Sequence, residues 1–251
     1  MSPFVRPRPT VDPSLRVFGF HHAGGSAAVY HPMNRVFPAD WELLLLDLPG
    51  RGKRHGERPL ERLDEVVARA VADIEPWLDG APVALFGHSF GALVALEVGR
   101  ALEREGHPPI WVGVSGRVPP SHQPVTRLSA LDDEGLMREM VAMGGMPERV
   151  SEIPEFVERF LRIIRSDLRA AESYEPAPDR VPLSCPLTVF CGTDDAWAAP
   201  SAMSGWSRET RYEPRREVFP GGHFYFLGAA LEGFARTVTG EIRAVAAMAG
   251  N

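Results

Sequence analysis

Cysteine is scarce in this chain: Cys185 and Cys191 are the only two in 251 residues. A disulfide framework is therefore excluded, and a reducing compartment fits. The two flank one strand-like run and read as small core residues. No apolar run approaches the length that spans a bilayer. The opening stretch, Met1 to Thr10, lacks the apolar segment of a secretory leader and carries Pro3, Pro7 and Pro9 with Arg6 and Arg8 instead. It reads as a loose arm, and the chain as cytoplasmic. Positive charge is not in excess either. The formal net charge is −6, which argues against a nucleic-acid partner. Internal repeats and low-complexity tracts are also missing.

What is present is the composition of a globular enzyme, 44% hydrophobic and 24% charged. The length suits one α/β domain over residues 1–251. Short, nearly continuous apolar runs recur at Val17 to Phe20, Leu43 to Leu46, Val83 to Phe86, Ile110 to Val114 and Leu187 to Phe190. Continuity rather than alternation suits parallel strands covered on both faces. Helical spacing fills Glu61 to Leu78, Ser89 to Glu105 and Phe226 to Met248. Strands alternating with helices predict a mostly parallel sheet flanked by helices. From about Thr126 to Tyr174 strand signals stop and amphipathic helical patterns take over, broken by Gly144-Gly145, Pro147 and Pro154. A helical insertion there is expected to act as a lid over the strand ends.

The chemistry concentrates in loops that follow the apolar runs. Ala84-Leu85-Phe86 leads into Gly87-His88-Ser89-Phe90-Gly91, and a helical run follows. This strand, G-x-S-x-G, helix order is a nucleophile elbow: a tight turn exposes the Ser89 hydroxyl at a helix N-terminus, where backbone N–H groups favour negative charge. Serine needs a base, and in this fold the acid and then the histidine come later in the chain. Gly192-Thr193-Asp194-Asp195 supplies the acid; the G-x-x-D spacing selects Asp195, with Asp194 as its neighbour in competition. Gly221-Gly222-His223-Phe224 supplies the base, because only His223 among eight histidines combines chain order with a glycine-rich loop. His21 and His22 end an earlier strand and could line the site. His88 reads as structural. The turn Ala23-Gly24-Gly25 can aim one backbone N–H at a carbonyl oxygen; Ala23 is the choice and Gly24 the near alternative, with the Phe90 N–H as second donor. This chemistry calls for no cofactor and no metal.

Taken together, the residues resemble a family, the type II thioesterases that accompany polyketide and nonribosomal peptide synthases. The resemblance is carried by Phe20-His21-His22-Ala23-Gly24-Gly25-Ser26 and by Leu48-Pro49-Gly50-Arg51-Gly52 with Arg54 and Glu57. The elbow, Gly144-Gly145 before Pro147, Arg165-Ser166-Asp167, Glu172 and Tyr174, and the acid and base loops complete it. Ser166 departs from the family's usual alanine. The resemblance implies the α/β-hydrolase fold. It also implies hydrolysis of acyl groups from the phosphopantetheine arm of an acyl or peptidyl carrier protein. A carboxylesterase or lipase with the same triad is the competing reading, and a non-catalytic binding protein of the same fold a third. Carriers of this kind are acidic, so two basic runs are candidate docking surfaces: Arg159, Arg162, Arg165 and Arg169, and Arg51, Lys53, Arg54 and Arg58. Glu158 and Asp167 are near enough in sequence to pair with the first run, Asp167 with Arg165 in particular.

Overall fold

A computed structural model describes residues 2–122, 127–145 and 154–249. Met1, Thr126 and Pro147, used in the sequence reading, lie outside them. Seven strands form one sheet: β1 (Phe4–Val5), β2 (Leu15–Phe20), β3 (Trp41–Leu46), β4 (Val83–His88), β5 (Trp111–Ser115), β6 (Leu187–Gly192) and β7 (Arg215–Phe219). Their order is β1-β3-β2-β4-β5-β6-β7. Every neighbouring pair is parallel except β1 with β3. This is the α/β architecture expected, and the five apolar runs all lie within or at the start of strands.

Continuity of those runs follows from two cores. Along β3, Leu44 and Leu46 enter one core while Leu43 and Leu45 enter the other. The first core is roofed by α1 (Leu63–Ile74) and α2 (Phe90–Arg104), the second by α5 (Leu231–Ala249) and the 3-10 segment Ala27–Arg35. A strand buried on both faces has no polar positions to alternate. Thr188 of β6 is an exception that proves satisfiable: its hydroxyl accepts from Trp111 Nε1 and donates to Glu241 Oε2, both at 2.9 Å.

One expectation needs correction, at a sheet edge. The N-terminal arm is not loose. Phe4 pairs with Leu46 and is only 1% exposed, and Arg6 hydrogen-bonds Glu42. Strand β7 carries no apolar run, because as an edge strand it shows Arg215, Arg216 and Val218 to solvent. Charged edges of this kind block pairing with another chain.

Between β5 and β6 the named elements are all helical among the described residues. Here lie α3 (Asp133–Ala142) and α4 (Pro154–Glu172), preceded by a 3-10 turn at Leu128–Ala130. The Asp132 carboxylate caps α3 by accepting from Gly135 N at 2.8 Å. Leu128, Leu136, Met140, Leu161 and Ile164 give the insertion a small core of its own.

Candidate active site

The parallel strands all end at one edge, where loops can converge. Ala23 lies three residues past β2, Ser89 one past β4, Asp195 three past β6 and His223 four past β7. The β4–β5 register sets His88 opposite Ser115, and Ser89 N donates to Ser115 O at 2.7 Å.

The elbow is shaped by close approach. A Cβ on Gly87 would stand 2.0 Å from Gly91 O, and one on Gly91 would stand 2.0 Å from Phe20 O. No side chain fits either position, so helix α2 can start directly against β4 and β2. Between them Ser89 adopts φ 55° and ψ −113°, a region that residues with a Cβ avoid. The turn ends in α2, so the Phe90 N–H belongs to the first turn and has no intrahelical acceptor.

Asp195 and His223 form a buried pair. His223 Nδ1 lies 2.9 Å from Asp195 Oδ2, and the two residues are 5% and 2% exposed. An ionised carboxylate only accepts, so Nδ1 carries the proton and Nε2 is left as the basic nitrogen. Asp195 Oδ1 accepts from Trp197 N at 2.9 Å and Ala198 N at 3.0 Å. Burial alone would raise this carboxyl's pKa; hydrogen bonds from His223 and the two amides outweigh it and hold the pKa below the ordinary value. Asp194 is exposed and accepts from Thr193 Oγ1. Its own N–H donates to Gly221 O at 2.9 Å, so this residue ties the acid loop to the base loop.

Ser89 and His223 open onto one cavity of about 240 Å³. His22, Ala23, Arg117, Trp197 and Phe224 line it from the sheet side. Leu128, Met140, Met143, Phe160, Ile164, Leu168 and Ala171 line it from the helical insertion. The wall is mostly apolar, which suits an acyl chain.

The histidines sort by partner. His22 borders the cavity, and its ring meets Phe224 edge-on at 4.8 Å. Burial, then the nearby His223 and Arg51, push its pKa down to about 3. His21 is buried against His22 O at 2.8 Å. His88 donates or accepts at Ser115 Oγ, 2.8 Å away, and its ring lies tilted, with its centre 4.8 Å from that of His223. Ser115 Oγ in turn meets Tyr225 OH at 2.5 Å. A hydrogen-bonded floor thus lies beneath the base.

The two backbone turns are distinguished by their amides. Gly24 N donates to Asp167 Oδ2 at 2.8 Å, so that amide is already occupied. Ala23 N has no protein acceptor among the described residues. Asp167 also receives Arg51 Nη1 at 2.5 Å and Nη2 at 2.7 Å. Sequence reasoning missed this pair. Arg51 (4% exposed) and Arg54 (5% exposed, bound to Glu57 and Asp73) are internal struts, not docking cations. Arg165 binds Ser129 O, Leu131 O and Asp133 rather than Asp167. Arg169 pairs with Glu61. Lys53, Arg58, Arg159 and Arg162 are exposed as well, and they make no ion pair among the described residues.

Comparison with known proteins gives the family. A model of the thioesterase domain matches residues 15–242. A Streptomyces griseus protein described as "Probable cadicidin biosynthesis thioesterase" is 36% identical over 88% of this chain, which spans 60% of that protein's length. Thioesterase PikA5 of Streptomyces venezuelae is 35% identical over 86% of this chain and 77% of its own. The solved type II thioesterase BorB of the borrelidin cluster is 34% identical, covers 98% of each chain and superposes with a TM-score of 0.86. With the fold, the elbow and the Asp195–His223 pair in place, this chain belongs to the type II thioesterases of polyketide and nonribosomal peptide clusters, within the α/β-hydrolases.

Proposed function

We propose that this enzyme edits a synthase by hydrolysing acyl groups from the phosphopantetheine arm of an acyl or peptidyl carrier protein. Ser89 Oγ attacks the thioester carbonyl as His223 Nε2 takes its proton. Asp195 holds the imidazole in the correct tautomer and stabilises its cation. The Ala23 and Phe90 N–H groups receive the oxyanion. The thiol leaves with the proton from His223, which then activates water to release the acid from the acyl-enzyme. The observation that carries this reading is the 2.9 Å Asp195–His223 contact, made beside Ser89 at the mouth of an apolar cavity.

Residues 126–174 serve as a lid on a single α/β domain; in support, half of the cavity wall comes from that insertion. The carrier docks on the exposed cations that make no ion pair among the described residues, Lys53, Arg58, Arg159 and Arg162. Buried, unpaired Cys185 and Cys191 support a cytoplasmic setting, and among the described residues no helix is long and apolar enough to cross a membrane. The test is hydrolysis of an acyl panel presented on carrier protein, on coenzyme A and as simple esters. Carrier-bound thioesters should be the best substrates, and Ser89→Ala should abolish their turnover. A higher kcat/KM for simple esters would make the chain a carboxylesterase instead.

A further inference from the structure

Buried arginines in this molecule come with carboxylates. Arg16 has Glu42 and Asp79, Arg51 has Asp167, Arg54 has Glu57 and Asp73, and Arg100 has Glu209 and Glu97. Arg117, which is half-buried, is different. It lines the cavity shared by Ser89 and His223, and among the described residues its side chain makes no ion pair and no hydrogen bond. Only its carbonyl is engaged, accepting from Trp206 Nε1 at 3.0 Å. Glu172 lines the same cavity and attracts the cation without an ion pair to it, because its oxygens accept from Ser129 N at 3.1 Å and from the Ser129 hydroxyl. Tyr174 OH donates to Glu97 at 2.7 Å. Burial depresses the Arg117 pKa more than Tyr174 and Glu172 restore it, as expected of a cation held by no direct ion pair.

Location fixes the scale. Arg117 follows Ser115 by two residues, and Ser115 O accepts from Ser89 N at 2.7 Å. Arg117 and Ser89 line the same cavity, so the cation borders the space that an acyl chain carried on Ser89 Oγ would occupy. A carboxylate on that chain would give the cation a bidentate partner in a low-dielectric wall. A hydrocarbon chain would bury it unpaired, which is the costlier state.

Resting on the reading of Ser89 as nucleophile, we propose that Arg117 selects acyl groups bearing a carboxylate a few bonds from the thioester carbonyl. The site thereby clears short dicarboxylic monothioesters in preference to hydrocarbon chains of the same shape.

The test uses N-acetylcysteamine thioesters in shape-matched pairs: malonyl with 3-methylbutanoyl, and succinyl with 4-methylpentanoyl. The whole enzyme should favour the charged member of each pair. Arg117→Met should cut kcat/KM for the charged members by about tenfold or more and leave the neutral ones equal or faster. Arg117→Lys should keep part of the preference. Thermal unfolding checks each variant, and Arg117→Gln replaces the methionine variant if that one does not fold. An equal change for both members of each pair would overturn the assignment, as would a wild-type preference for the neutral members. Failure of the wild-type enzyme to hydrolyse any of the four would instead count against the thioesterase reading itself.

Discussion

Both carboxylate oxygens of Asp167 meet the guanidinium of Arg51, and the same carboxylate holds the Gly24 amide. One side chain on α4 thereby joins the loop after β3 to the loop after β2. Removing one partner of such a buried pair leaves an uncompensated charge, at about 3–5 kcal/mol. Asp167→Ala should lose stability on that scale in urea unfolding. Its kcat should fall as well, because Gly24 adjoins the Ala23 amide. Arg51→Met combined with Asp167→Leu should recover much of the stability but not the kcat. If the single variant unfolds like wild type, the strut is not structural.

The two adjacent aspartates should separate cleanly in kinetics. Asp195→Asn puts an amide where His223 Nδ1 needs an acceptor, and a loss near 10⁴-fold in kcat is expected for the wrong tautomer. Asp194→Asn keeps the N–H that binds Gly221 O and should change kcat by about threefold or less. Steady-state hydrolysis of one acyl thioester decides; a larger loss at Asp194 would move the acid by one residue.

Glycines should respond in opposite directions to the same substitution. Gly91→Ala would drive a methyl to 2.0 Å from Phe20 O, and the protein should fail to accumulate in folded form. Gly240→Ala sits on an exposed face of α5 with nothing within 4 Å of the new methyl. It should gain about 0.5–1 kcal/mol. Soluble yield and thermal midpoints measure both.

Acid should unfold this protein steeply. His21, His22 and His88 are buried, and burial lowers the pKa of each in the folded state, His22 to about 3. Their unfolded values lie near about 6.5. Below that pH the unfolded chain takes up protons that the folded chain refuses, so stability falls as pH drops. Each such imidazole contributes a slope of about 1.4 kcal/mol per pH unit. Unfolding free energies between pH 7 and pH 4.5 should show it, and His88→Gln should flatten the slope. A stability flat across that window would mean that these rings protonate in the native state.

Sequence legibility followed physical range. Ser89, Asp195 and His223 could be singled out because each lies in a short motif of fixed local geometry, and strand order dictates where the motifs end up. The five inner strands could be read because burial on both faces forces continuous apolar runs. The edges could not: β1 has two residues and β7 carries charge to solvent. Nor could the Arg51–Asp167 strut, whose partners stand 116 residues apart. Arg165 is nearer to Asp167 in sequence, but residues two apart on a helix do not face each other. Arg117 belongs to no motif; only the fold shows that it lines the cavity of Ser89 with no ion pair among the described residues.

The backbone of Ser89 asks for a different residue than the one it carries. At φ 55° and ψ −113° a glycine would sit without penalty, whereas a side chain there costs about 1–3 kcal/mol. The most stable version of this elbow is therefore an inert one. On the role proposed for Ser89, selection for a nucleophile works directly against selection for the fold at this position, and the tight packing of Gly87 and Gly91 around it is what lets the strained residue persist.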